Sequence, residues 1–573
     1  MNITHQKYII ISFIGIVNVS LIYTFVIFSN YWYVYLFILA LSSLLNASST
    51  ILNIGYRMCY PEKDNHRLDS RSYIYIVPCY NESQEELLAS LESLIEQRIV
   101  KNDKRLILII CDGKVKGAGN NASTDQLLIN VLKIEETGSS HTYVTWDGTE
   151  NIICKYSKMY TYKNETVPIL LLVKSNNYGK RDSLVLARQI CYAYNLRAKE
   201  DAQSNFILHM IQSLEYFFDD TIDYIIGIDA DTIFDYNCSY ELIQSIDCDK
   251  NIHGSVGFVD IYHKMKFYSI FVLYQYAEYI YAQSLRRQAQ SNITNKVSCL
   301  SGCVQILRIS EETCGEKILK VFNYYPKEND TIFKHILSYA SEDRNHVCNM
   351  LSLYPHVKTV QTLKAVAYTI VPTSISVFLS QRRRWNLGAN TNDLLLIFIP
   401  GINIFERILA FVNVVTFITT PFIYVATVYF IISIIENATL LMLYLAIILF
   451  IPLFYGIIVP IFIKPMSFKN ALYYYFSYII FFSLAGTVSL INFLNSIMKM
   501  DIIKWGKTRS IEKADENDFL TITIKDNYII GMQSDNGMQS DNGMQSDNGM
   551  QSDNGMQSDN NTLLLMFNED VIV

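Results

Sequence analysis

Five stretches of this chain are too long and too apolar to be ordinary core segments. Near the amino terminus, residues 8–28 and 32–52 contain no Asp, Glu, Lys or Arg. Each is about the 20 residues that a helix needs to cross roughly 30 Å of hydrocarbon. A cleaved signal peptide has a shorter apolar core, so the pair reads as a hairpin around the turn SNYW. Lys7 precedes it and Arg57 and Lys63 follow it, which places both ends on the cytosolic side. Residues 408–435, 440–463 and 471–497 make three further spans. The turn ENAT between the first two has no cation and reads as outside; KPMSFKN, with Lys464 and Lys469, reads as inside. The third span then sends the tail outside, against the inside preference of Lys499, Lys504, Lys507 and Arg509. One of these segments is therefore expected to be re-entrant or interfacial.

The rest of the composition narrows the class. Half of the 573 residues are hydrophobic, mean hydropathy is +0.17, and the net charge of −7 gives no reason to expect nucleic acid. Eleven cysteines form no CxxC pair, and the nine histidines form no HxxxH or similar set. A disulfide framework and a zinc site are therefore not expected. GMQSDN occurs five times between Gly531 and Asn560 with no apolar face, as in a low-complexity tail.

Between the apolar blocks, short β-rich runs alternate with amphipathic helices. SYIYIVPCYNES, RLILIICDG, PILLLVKS and DYIIGIDADT read as strands, and Ser83 with Glu86 has capping-box spacing at the head of a helix. That alternation predicts a mostly parallel sheet flanked by helices. Ligands of such sheets bind at the carboxyl ends of the strands, where this chain puts PCYNES, CDG, KSNNYGKRDS and DAD.

Asp229 and Asp231 sit two apart at a strand end, a pairing of hard oxygens that suits Mg2+ or Mn2+ with phosphate; a polar turn with a helix cap is the plainer reading. Glu342, Asp343 and Arg344 of SEDR read as a general base with a basic neighbour holding it, or as the acidic start of an ordinary helix. Gln381, Arg382, Arg383, Arg384 and Trp385 either flank a membrane segment or grip a diphosphate and stack on a sugar. Together these groups suit transfer of a sugar from a nucleotide to an acceptor beside a bilayer.

The ordered set VPCYNES, ICDGKVKGAGN, GKRDS, DAD, CLSGC, SEDR, QRRRW and KWGKTR, covering about residues 77–509, resembles chitin synthases of the fungal type, a processive branch of glycosyltransferase family 2. The resemblance implies a cytosolic α/β domain of GT-A type inserted between transmembrane helices. The expected layout is a hairpin at 1–55, the catalytic domain at 56–392, an interfacial segment at 393–407, helices at 408–500 and a tail at 501–573. It implies inverting transfer of N-acetylglucosamine from UDP-N-acetylglucosamine to the non-reducing end of a growing chitin chain, which is then extruded across the bilayer. By that resemblance Asp343 is the base and Asp229 is catalytic, while Asp231 holds Mg2+ or Mn2+. Tyr80, Glu82 and Asp112 hold uridine, and Lys180, Arg181 and Asp182 complete the donor site. Gln381 and Arg382 to Arg384 line the diphosphate, and Trp385 and Glu342 meet the acceptor. Ser301, Gly302 and Trp505 belong to the channel mouth. Ser301 stands where the family often has Pro, and Lys504 where it has Ser or Thr. A plasma-membrane or vesicle location and a homodimer are also what the family suggests. A hyaluronan- or cellulose-type synthase and a non-catalytic membrane protein stand as alternatives; against a transporter, the spans show no internal repeat.

Overall fold

The computed structural model describes residues 2–60, 67, 69–117, 119–135, 138–197, 204–262, 269–399, 402–437 and 439–502. Trp505, the KWGKTR motif beyond Ile502 and the GMQSDN repeats lie outside these residues.

Among the described residues, ten strands form one sheet: β1 (Ser72–Cys79), β2 (Lys104–Cys111), β3 (Ser139–Val144), β4 (Glu150–Tyr162), β5 (Glu165–Lys174), β6 (Tyr224–Gly227), β7 (Ile233–Phe234), β8 (Ile252–Ile261), β9 (Gln305–Arg308) and β10 (Lys358–Thr369). Their order is β3-β4-β5-β2-β1-β6-β9-β8-β10-β7. The centre, β5-β2-β1-β6, is parallel. Here the apolar runs SYIYIVPC and RLILIIC are buried on both faces, as helix-covered parallel strands must be. Tyr73, Tyr75 and Val77 pack under helix Gln84–Ile95, and Ile74 and Ile76 pack under helix Lys180–Leu196. The flanks differ from the expected parallel pattern. β3-β4-β5 is an antiparallel meander, and β9 runs antiparallel to both β6 and β8, so the sheet as a whole is mixed. Ser83 caps its helix with the anticipated reciprocal pair to Glu86.

Among the described residues, three helices are long and apolar enough to cross a membrane: Ile3–Ile27, Ile38–Cys59 and Phe468–Met498. The stretch read as a single span at 408–435 is instead two helices, Ile404–Ile418 and Thr420–Glu436, bent by 79°. Pro421 at this break lacks an N–H and cannot continue the first helix. The boundary drawn at 392/393 also falls inside an element, because Asp393 to Phe398 are the last turns of helix Ile375–Phe398. Contacts at the chain ends address the charge conflict. Lys7, at the head of the first helix, pairs with Asp501 at 2.7 Å, and the Gln6 side chain donates to the Asp330 carbonyl. Near the end of the last apolar helix, Asn495 donates to the Leu379 carbonyl at 2.9 Å. Both ends of the apolar block therefore meet residues of the sheet-bearing domain.

Candidate active site

Each central strand delivers a polar residue at its carboxyl end. Glu82, in the turn after β1, accepts from the backbone N–H of Tyr80 at 2.7 Å and of Asn81 at 3.1 Å, which closes that turn. Asp112 follows β2 and accepts from the N–H of Gly179 at 2.7 Å and of Tyr178 at 3.2 Å. One carboxylate thus fixes the loop leading to Lys180. Lys174, the fully buried last residue of β5, braces this arrangement by donating to Asp112 at 3.1 Å and to Asp182 at 2.6 Å. Sequence reading gave Lys174 no role; the available signal was a cation closing a buried apolar strand.

Of the three residues Lys180, Arg181 and Asp182, only the first turns into the cleft. Arg181 donates to the carbonyls of Phe322 at 2.7 Å and Leu337 at 2.6 Å, and Asp182 accepts from Tyr143 and from the Trp146 N–H at 2.8 Å each. Successive helical side chains diverge by about 100°, so these two brace the domain interior instead of lining the donor site as expected.

Lys180 Nζ lies 2.6 Å from Asp229 and 3.7 Å from Glu342. Burial works against its charge, but Asp229, Asp343 and Glu342 hold its pKa well above the usual lysine range. Asp343, in the first turn of helix Glu342–Leu353, accepts from the backbone N–H of Gly302 at 2.8 Å through Oδ2. Its Oδ1 is out of contact with solvent and has no hydrogen-bond partner. A Cβ on residue 302 would stand 2.7 Å from that oxygen, so glycine is required for this approach. Burial, offset by Lys180 and reinforced by Glu342 and Asp229, pushes the Asp343 carboxyl up to about 6. Gly302, expected at a channel mouth, thus lies against the carboxylate of Asp343, while the Ser301 hydroxyl accepts from Arg287 at 3.0 Å.

The basic neighbour of Asp343 does not hold it. Arg344 pairs with Asp393 at 2.6 Å, and Asp393 also accepts from Asn413 at 2.8 Å. That ion pair ties the helix of Asp343 to helix Ile375–Phe398, and Gly388 lets the two approach, since a Cβ there would stand 2.2 Å from Ser341 Oγ. The arginines of QRRRW diverge as well. Arg382 is buried, pairs with Glu278 and has its guanidinium carbon 4.3 Å from the centre of the Trp385 ring. Arg383 is lowered by burial, with the charge of Asp501 opposing. Arg384 is depressed by burial, with the charge of Glu342 opposing, that of Arg383 adding to the fall and that of Asp229 opposing it. Gln381 shares its face at i,i+3 spacing. Of the three arginines expected along the diphosphate, Arg382 is engaged by Glu278. Trp385 is 40% exposed, with its ring 6.2 Å from that of Tyr279.

The family model described as chitin synthase matches residues 48–529. The chain belongs to the chitin synthase family. Chitin synthase 8 of Gibberella zeae is 33% identical over 535 residues, 89% of this chain and 79% of that protein. Chitin synthase 8 of Verticillium dahliae is 33% identical over 474 residues, 75% and 76% of the two chains. Among solved structures, a mannosyltransferase from Pyrobaculum calidifontis in complex with GDP-Man and Mn2+ is 11% identical with a TM-score of 0.39, covering 80% of this chain and 98% of that one, a likeness too low to carry an argument.

This chitin synthase therefore acts on a nucleotide-sugar donor and a growing chain, and its helices mark it as a membrane protein. Its residues also fit a divalent cation. Asp231 is pushed up to about 7 by burial and then by the charges of Asp229 and Glu82, against one opposing lysine, Lys180. Carboxylate oxygens are the donors that Mg2+ and Mn2+ take.

Proposed function

We propose that the synthase transfers N-acetylglucosamine from UDP-N-acetylglucosamine to the 4-hydroxyl of the chain's non-reducing end, in a single inverting displacement. The acceptor oxygen forms the bond to the anomeric carbon, the bond to UDP breaks with its electron pair leaving on the diphosphate, and the hydroxyl proton passes to Asp343. The observation that carries this reading is the Asp343 carboxylate itself: one oxygen is held by Gly302, and the other is buried and unpartnered. A buried acceptor without a partner calls for a functional explanation. Asp231, with Asp229 beside it, would hold Mg2+ or Mn2+, which neutralises charge on the departing UDP. Arg384 and Gln381 face the same diphosphate, Tyr80, Glu82 and Asp112 form the uridine end, and Trp385 with Glu342 meets the acceptor sugar. The reading also places the catalytic domain in the cytosol beneath the plasma membrane, as a homodimer whose product is extruded through the bilayer.

Two measurements test the base. The first is the pH dependence of kcat/KM, which reports the free enzyme. A base must be ionised, so activity is expected to rise with pH through an apparent pKa near 6, the value to which the site pushes Asp343. An acid limb centred near 4 would contradict the assignment. The linked stability effect has the opposite sense. A carboxyl raised on folding contributes fully below its unfolded value and loses that contribution as pH rises through the folded one. The second is Gly302→Ala, whose Cβ displaces the carboxylate. A shift approaching 1 Å is expected to cost about 10²-fold in kcat, with donor KM little changed.

A further inference from the structure

At the opposite end of the sheet, three side chains far apart in sequence converge. His253 is the second residue of β8, Glu312 lies in the short helix Glu311–Cys314 after β9, and His356 is three residues beyond the Asp343 helix. One ligand atom from each lies within 4.8 Å of the others. His253 Nε2 is 3.4 Å from Glu312 Oε2, and His356 Nε2 is 3.1 Å from Glu312 Oε1. We infer that His253, Glu312 and His356 form a site for a transition-metal dication of the Zn2+ class, separate from the catalytic cation.

The tautomer of His253 carries the inference. Its Nδ1 lies 2.8 Å from the Asn251 carbonyl, which can only accept, so that nitrogen carries the proton. In the neutral ring Nε2 is then a bare lone pair, and it faces a carboxylate oxygen. Two acceptors facing each other across 3.4 Å repel unless a cation lies between them, either a proton on the ring or a metal. The ring is buried, with 6% exposed, and burial disfavours the charged imidazolium. A backbone carbonyl on the second nitrogen is also the usual support of a metal-bound histidine. Ligand atoms about 2.0–2.1 Å from a tetrahedral Zn2+ stand roughly 3.3 Å apart, close to both distances to Glu312. Imidazole nitrogens favour zinc and its neighbours over Mg2+ or Mn2+. His356 is exposed, which leaves solvent access to a fourth position. The ion would pin the rear of the Asp343 helix to the sheet, where His346 of that helix already meets the Thr313 carbonyl at 2.8 Å.

The test uses the purified full chain in detergent, stripped with a chelator and offered Zn2+ alone. Bound metal is counted by elemental analysis after washing, and thermal unfolding is followed as Zn2+ is added, with Mg2+ as the control ion. Wild type is expected to retain about one Zn2+ per chain, and free Zn2+ at 100 times Kd should raise the folded-to-unfolded ratio about 100-fold. His356→Ala, at an exposed position, should lose both effects while unfolding like stripped wild type, and Glu312→Gln should do the same. Co2+ bound in place of Zn2+ should give a visible absorption band that His356→Ala abolishes. Wild type that retains no zinc and gains no stability from it would overturn the site, as would His356→Ala that binds like wild type. A midpoint that rises with protonation of the imidazoles but not with Zn2+ would assign the gap to a proton and equally overturn it.

Discussion

Asp343→Asn is expected to lower kcat by on the order of 10²–10⁴-fold, the range contributed by a positioned general base, while leaving donor KM nearly unchanged. The substitution is nearly isosteric, and the amide oxygen can still accept from the Gly302 N–H that now holds Oδ2. The variant should therefore keep its fold, and what it loses is a site that can take a proton. Asp343 is also a carboxyl raised by burial, so a neutral side chain there should leave thermal stability at pH 7 equal or higher. Initial rates of labelled sugar incorporation, with unfolding midpoints measured in parallel, check both parts. Activity within about tenfold of wild type in folded protein would remove Asp343 from the mechanism, since one pKa-tuned base accounts for more than that.

Asp393→Ala is expected to destabilise the synthase by about 3–5 kcal/mol, the usual cost of removing one partner of a buried ion pair. Arg344 and Asp393 keep only 14% and 5% side-chain exposure, and their 2.6 Å pair joins the helix of the base to the helix of QRRRW. The charge of Asp393 holds Arg344 above the usual guanidinium range even though burial acts the other way. Loss of Asp393 strands that guanidinium and frees the base helix from its neighbour, so activity should fall with stability. An apolar double replacement, Arg344→Met with Asp393→Leu, removes both charges at once and should recover much of the lost stability, because buried pairs often exchange for apolar packing at little cost. The double-mutant cycle separates the pair from its surroundings. A loss below about 1 kcal/mol, in the range of exposed salt bridges, would show that the pair does not bear on the fold.

What could be read from the sequence was set by range. The central strands were legible because burial on both faces makes them continuous apolar runs, and their carboxyl ends because each run gives way to polar residues, Asn81 and Glu82 after β1, Asp112 after β2 and Lys174 at the end of β5. Asp229 and Asp231 stood out for the same reason, and Asp343 stood out only as part of the charged run SEDR. The direction of a side chain on a helix was not legible. The triplet Arg382, Arg383 and Arg384 looks uniform in sequence, yet Arg382 pairs with Glu278, Arg383 feels the charge of Asp501 and Arg384 that of Glu342. Pairings across long separations left no local trace. Arg344 meets Asp393 across 49 residues, and His253 meets His356 only because β8 and β10 are adjacent in the sheet. That is why this cluster was not visible in histidine spacing. The antiparallel β9 and the bend at Pro421 likewise depend on tertiary packing that period and propensity do not encode.

The most direct test of the account is donor choice by the purified, detergent-solubilised enzyme with Mg2+ or Mn2+. UDP-N-acetylglucosamine, UDP-glucose and UDP-glucuronate are offered separately and the product is digested with chitinase. The account predicts an insoluble, chitinase-sensitive polymer from UDP-N-acetylglucosamine only, absent in Asp343→Asn. Polymer from either other donor, or a chitinase-resistant product from the first, would contradict it.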